Sequence, residues 1–306
     1  MKNKRIIVLL LLIVLLTGCT KSLTKDGKVV TNPETGQNLT ENILCKPKDK
    51  ETIKIYEKNK DKIDISKLPD CTKFKVNSGG YEGLWTTIIV KPLAWLILRI
   101  GEFVKNYGLG LIIVSLIIRL VAFPLTKKTA MQSEIMKQAK PDLDKLEEKY
   151  KDKTDQESLM KKNQEMMIIY KKYNINPVSG CLFSFIQLPL FIGFLEAINR
   201  VPAIFEEKFI LFQLGTTPKT AIFGGQIFYI ILVIIVALTT YFSFKLNATA
   251  LNNNKQSKTM NISMVVMITI MGFFMTSALN IYWITTNLFT VVQNLLVKRG
   301  SRNEKI

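Results

Sequence analysis

The chain has 306 residues, 48% of them hydrophobic and 22% charged, with a net charge of +18 and no histidine. Its mean hydropathy is nonetheless positive, at +0.18, so charge and apolarity are segregated into separate runs; this excludes a single water-soluble globule and points to a polytopic membrane protein. Without histidine the commonest general base and metal ligand are missing. The chain also has no GxxxxGKS/T loop, GxSxG elbow or CxxC pair, and its apolar runs hold no paired carboxylates, so it does not read as an enzyme and calls for no cofactor or metal.

Residues 1–18 read as a signal peptide. Lys2, Lys4 and Arg5 precede an apolar core, Ile6 to Leu16, that is too short to span a bilayer permanently. The core ends Leu16-Thr17-Gly18-Cys19, which resembles the lipobox of bacterial lipoproteins and implies cleavage before Cys19 and lipidation of its thiol. The alternative is an uncleaved anchor with an incidental cysteine. Residues 19–83 follow as an extracytoplasmic segment, polar, with thirteen Lys and ten Asp or Glu from Thr20 onward. Cys45 and Cys71 form either a disulfide, contributing about 3 kcal/mol, or two free thiols. Asn77-Ser-Gly-Gly80 reads as a flexible linker.

Residues 84–107 are apolar but broken by Lys91-Pro92 and Arg99. They read as an amphipathic helix on the outer membrane surface beginning after Pro92, with Trp85 and Trp95 at headgroup level. Residues 108–126, GLGLIIVSLIIRLVAFPLT, form the first span, about 28 Å as a helix, and its only charge is Arg119. An arginine there costs about 2.5–3.5 kcal/mol on insertion scales. Either it snorkels toward water near Lys127 or it serves a function.

Residues 127–177 read as a cytoplasmic helical hairpin, Ala130 to Lys151 and Gln156 to Tyr173, with twelve basic and nine acidic residues. Pro141 is expected to begin or kink a helix there. The hairpin is either purely structural or a receiver for a partner or nascent chain. Four more spans follow, at 178–199, 221–244, 261–279 and 281–297, with an extracytoplasmic loop at 200–220, a cytoplasmic loop at 245–260, a tight hairpin at Asn280 and a cytoplasmic tail at 298–306. The inner segments hold nineteen Lys or Arg against three in loop 200–220, which sets the orientation by the positive-inside rule. That rule accounts for the basic charge, and with no zinc-finger or RRM pattern no direct nucleic-acid recognition is expected.

In the last span, Trp283, Thr286, Asn287, Thr290, Gln293 and Asn294 fall on one helical face about 120° wide. Gln187 and Ser184 in the second span, and Ser115 one turn before Arg119, add polar groups. Arg119, Gln187, Asn287 and Thr290 all lie about 12–16 Å from the cytoplasmic ends of their spans. Interhelical glue is one reading of such residues; a charge facing a polar stripe at matched depth favours a hydrophilic groove open to the cytoplasm. Met260, Met264, Met267, Met271 and Met275 form one face of the fourth span, either ordinary packing or an adaptable apolar surface.

The lipobox, the surface helix, IIRLVAFPLT with Arg119, the hairpin, and then Asn176-Pro177-Val-Ser-Gly180-Cys181-Leu-Phe-Ser-Phe-Ile-Gln187-Leu-Pro189 together resemble the YidC/Oxa/Alb family of membrane-protein insertases, in the five-span lipoprotein form of single-membrane bacteria. The resemblance implies an all-α fold of five transmembrane helices around a cytoplasm-open groove, in a bacterial plasma-membrane protein anchored by lipid outside and with its C-terminus inside. It implies an insertase and folding chaperone whose partners are nascent membrane proteins, the lipid bilayer, the Sec translocon and the ribosome, although nine residues after Val297 make a short tail for ribosome contact. Arg119, Gln187 and Trp283 fall at groove positions of that family; Thr286, Asn287, Thr290 and Gln293 join them from the helical face. The rival classes are a secondary transporter, which should show inverted repeats, and a lipid-anchored membrane scaffold, which needs no polar face.

Overall fold

The computed structural model describes residues 20–176, 178–246 and 255–303. The signal peptide and Cys19 lie outside them, as do residues 247–254 of loop 245–260. The chain divides into two compact units. One comprises residues up to Ile117 with Leu188–Ile234 and Met271–Thr285, the other Ile118–Gln187, Ile235–Ile270 and Thr286 onward.

In the first unit the polar segment after Cys19 is folded. β1 (Thr24–Lys25) and β2 (Lys28–Val29) pair antiparallel around Asp26-Gly27, both with positive φ, as a two-residue hairpin turn requires. α1 (Lys50–Glu57) starts at Asp49, whose carboxylate accepts from the Thr52 amide at 2.8 Å. Leu23, Leu39, Ile43 and Tyr56 close a small core with Phe205 from a distant part of the chain. Cys45 and Cys71 are joined in a disulfide. So small a core needs such a staple.

Asn77–Gly80 is not a loose linker. The Nζ of Lys91, fully buried, donates to the carbonyls of Ser78 at 2.8 Å and Gly80 at 2.6 Å. Helical backbone also begins before Pro92, with a π-turn at Thr86–Val90 leading into α2 (Lys91–Phe103). The wider turn makes room for a proline that has no N–H to give and would clash with the carbonyl four residues back. α2 packs backbone to backbone on α3 (Tyr107–Lys149): a Cβ on Gly110 would lie 2.7 Å from the Gly101 Cα.

α3 runs unbroken through both the expected first span and the first arm of the hairpin, with Pro124 and Pro141 inside it. Pro141 thus neither begins nor ends a helix. In the second unit, Ala139 and Leu143 of α3 pack with Ile175, against Met166 and Ile169 of α4 (Gln156–Lys172). Ion pairs Lys149–Glu165 and Lys172–Asp142, each 2.7 Å, line the two sides.

α5 (Val178–Arg200) is followed by α6 (Pro202–Phe205) and the hairpin β3 (Lys208–Phe209) and β4 (Phe212–Gln213). The run expected to be helical from Ala221 is divided: α7 (Pro218–Phe223) ends at Gly224-Gly225, the latter with φ +88°, and after a 3-10 turn α8 (Ile230–Leu246) begins. α9 (Lys255–Phe274) and α10 (Ser277–Asn303) meet at Met275-Thr276, not at Asn280. Asn280 sits inside the first turn of α10, where its amide donates to the carbonyls of Gly272, Met275 and Thr276 and so satisfies the end of α9. Tyr107–Lys149 and Ile227–Leu246 are, among the described residues, long and apolar enough to cross a membrane.

Candidate functional site

Arg119 lies in the second unit, 6% exposed. Its Nη2 donates to Oε1 of Gln187 at 2.5 Å. The two meet because α3 and α5 each carry one long polar side chain in an otherwise apolar stretch. An amide carbonyl gives a guanidinium a strong charge-assisted bond and leaves its positive charge in place.

The polar face of α10 supplies the other contacts in this unit. Thr286, Thr290, Gln293 and Asn294 are buried, while Leu288, Val292, Leu295 and Leu296 on the remaining faces are exposed. Gln293 Oε1 accepts from Thr126 Oγ1 of α3 at 3.1 Å, and Asn287 Nδ2 donates to Thr240 Oγ1 of α8 at 2.9 Å. Thr290 returns its hydroxyl proton to the Thr286 carbonyl of its own helix. Arg119, Gln187, Thr286, Asn287, Thr290 and Gln293, on α3, α5 and α10, therefore belong to one compact unit. Trp283 belongs to the other unit, where its ring meets Phe191 edge-on at 4.9 Å.

The family model described as 60Kd inner membrane protein matches residues 99–305. The membrane protein insertase YidC of Oceanobacillus iheyensis is 37% identical over 232 residues, 73% of this chain and 87% of that protein. Membrane protein insertase MisCA of Bacillus subtilis is 36% identical over 216 residues, 70% of this chain and 79% of its own length. The chain belongs to the YidC family of membrane protein insertases. A crystal structure of an active YidC insertase with its first transmembrane domain resolved matches 71% of this chain with a TM-score of 0.53. At 23% identity that match concerns the fold alone, and this chain spans about half, 48%, of the crystallised one.

Two buried polar residues that the helical face does not mark, Thr126 and Thr240, join this cluster, and Asn294 is buried with an Nδ2 that has no hydrogen-bond partner among the described residues. Asn294 was on the polar stripe; Thr126 and Thr240 had no sequence signal beyond being hydroxyls in apolar runs. Of the methionine face, Met264 and Met267 are exposed, at 37% and 51%, and Met271 and Met275 are half-buried; Met260 is outside the described side chains.

A second charged network lies in the first unit. Glu82 pairs with Lys91 at 2.8 Å and with Arg200 at 2.5 Å, and both basic side chains are almost fully buried. Burial alone would raise the Glu82 carboxyl, but hydrogen bonds and charge from Lys91 and Arg200 outweigh it and hold the group below its ordinary value of 4.5. Arg200 also donates from Nε to the Asn42 carbonyl at 2.6 Å, and its own carbonyl accepts from the Leu44 amide. The network thereby ties the folded segment before α2 to α2 and α5.

Proposed function

We propose that this chain is an insertase and folding chaperone that draws the polar tails of nascent membrane proteins toward Arg119 and releases their apolar segments sideways into lipid. The reading takes the five apolar runs as five spans, with Cys19 lipidated outside, residues 127–177 inside and the C-terminus inside, in a bacterial plasma membrane. Arg119, Gln187, Thr286, Asn287, Thr290 and Gln293 line a hydrophilic groove open to the cytoplasm. The observation that carries this reading is a buried guanidinium in an apolar run that donates to the amide carbonyl of Gln187, in the unit that also buries the polar face of α10. A positive charge kept at low local dielectric attracts acidic residues of an entering tail more strongly than it would in water. A groove wet on one side shortens the apolar distance that the tail must cross, and burial of the following apolar segment in lipid drives the release. The Sec translocon and the ribosome are the further partners of this reading.

The test is insertion of a one-span substrate with an acidic translocated tail into vesicles holding the purified protein, without nucleotide. Arg119→Ala should abolish insertion and Arg119→Lys should retain most of it. Equal insertion by Arg119→Ala and the unaltered protein would sink the role given to the charge, and solute flux in the same vesicles would favour a transporter.

A further inference from the structure

Apart from the arginine cluster, the second unit holds an apolar cavity of about 370 Å³, within the size range of pockets that take small organic ligands. Phe123, Met131 and Ile135 of α3 and Leu296 and Val297 of α10 form its walls. Gly300 leaves the α10 side open: a Cβ built there meets nothing within 4 Å. Two charged residues reach the lining, Lys127 and Glu134. Glu134 is engaged by Lys137, so the net charge at the cavity is that of Lys127. Lys128, Lys298 and Arg299 stand exposed on the same two stretches of helix.

The cavity sits where α3 passes from the apolar run ending at Thr126 to Lys127-Lys128, the level at which a span meets lipid headgroups. An apolar slot bordered by basic side chains at that level complements one class of molecule, an amphiphile with an acyl tail and an anionic head. We propose that this cavity binds one anionic phospholipid, with an acyl chain along Phe123, Met131 and Leu296 and its phosphate at Lys127. The bound lipid would fill the gap between α3 and α10 where no side chain from Gly300 does. The proposal goes beyond the insertase reading and shares none of its groove residues.

Full-length protein in detergent, titrated with dioleoylphosphatidylglycerol or dioleoylphosphatidylcholine and read by native mass spectrometry, should retain one phosphatidylglycerol in clear preference. Lys127→Gln should weaken phosphatidylglycerol binding about five-fold, the effect of one basic residue on an anionic lipid, and leave phosphatidylcholine unchanged. Gly300→Leu, whose Cβ meets nothing within 4 Å, should remove the preference while far-ultraviolet circular dichroism stays that of the unaltered protein. Equal binding of the two lipids, or Gly300→Leu behaving as the unaltered protein does, would overturn the site. A photo-crosslinker placed at Met131 in native membranes should yield a phospholipid adduct; a polypeptide adduct would assign the cavity to a protein segment instead. Neither measurement reads insertion, so failure here leaves the insertase reading standing, and the reverse holds too.

Discussion

At the scale of single residues, the pair Arg119–Gln187 separates two roles that mutation of the arginine alone confounds. Gln187 could hold the guanidinium in place, or it could contact the substrate beside it. Replacing it by leucine removes one hydrogen bond to a charged group, worth about 1.5–3 kcal/mol in general, and should slow insertion about ten-fold while leaving the charge intact. Gln187→Glu keeps the hydrogen bond and places a carboxylate 2.5 Å from Nη2. A purely positioning role predicts that glutamate works at least as well as glutamine. A role for the positive charge predicts that it fails more completely than leucine, because the field offered to an acidic tail is cancelled. Insertion rates of the two variants, measured side by side in vesicles, decide between them.

At the scale of elements, α3 depends on how its first turn is finished. Asn106 Oδ1 accepts from the Leu109 amide at 2.8 Å, and Glu207 accepts from the Tyr107 amide at 2.6 Å and from Asn106 Nδ2 at 3.1 Å. Two side chains from different parts of the chain thus satisfy the open amides of the helix that carries Arg119. Asn106→Ala should cost about 1 kcal/mol and appear as faster amide exchange confined to the first turn of α3. Gly110→Leu should do more, since Gly101 leaves it no room, and should separate α2 from α3 outright. Helix boundaries were the part of the fold least legible in the sequence. Asparagine interrupting an apolar run puts the turn between α9 and α10 at Asn280, yet Asn280 is helical and its amide serves the preceding helix end. Apolar neighbours make Gly224-Gly225 look like part of a span, although positive φ at Gly225 breaks the helix there. A hydropathy pattern records what is buried in lipid or protein and is silent about where the backbone turns.

At the scale of the whole molecule, legibility followed the distance between interacting residues. The polar stripe of α10 and the charge in the first span are each local patterns, and both could be read directly. The core of residues 20–83 draws on Leu23, Leu39, Ile43 and Tyr56, then on Phe205 from beyond α5, and no window of sequence contains it. The same segment looks too polar to fold because it is held by covalent and ionic ties as much as by apolar burial. Its disulfide links residues 26 apart in sequence, worth about 3 kcal/mol by chain entropy. Reduction of the purified protein should therefore render residues 20–83 sensitive to protease while the rest of the chain stays resistant.

The ionic tie through Glu82 has a pH dependence whose sign follows from its partners. Lys91 and Arg200 hold the folded carboxyl below its ordinary 4.5, so the stability it contributes is fully present above that value and is lost as pH falls through the lower, folded value. Protease protection of residues 20–83 should accordingly persist from pH 7 to about 4.5 and decline only on further acidification. Among the described residues, Glu82→Gln leaves Lys91 with no carboxylate at 2.8 Å and Arg200 with only Glu196, at 4.0 Å. Its cost should be about 3 kcal/mol, the low end for a broken buried pair because Glu82 is itself one-third exposed. The variant should lose protection already at pH 7 and show no further loss across the acid window in which the unaltered protein gives way. An unchanged acid transition in Glu82→Gln would assign that transition to another carboxylate held below its ordinary value, with Asp64, which accepts from the amide and hydroxyl of Ser66, the next to replace.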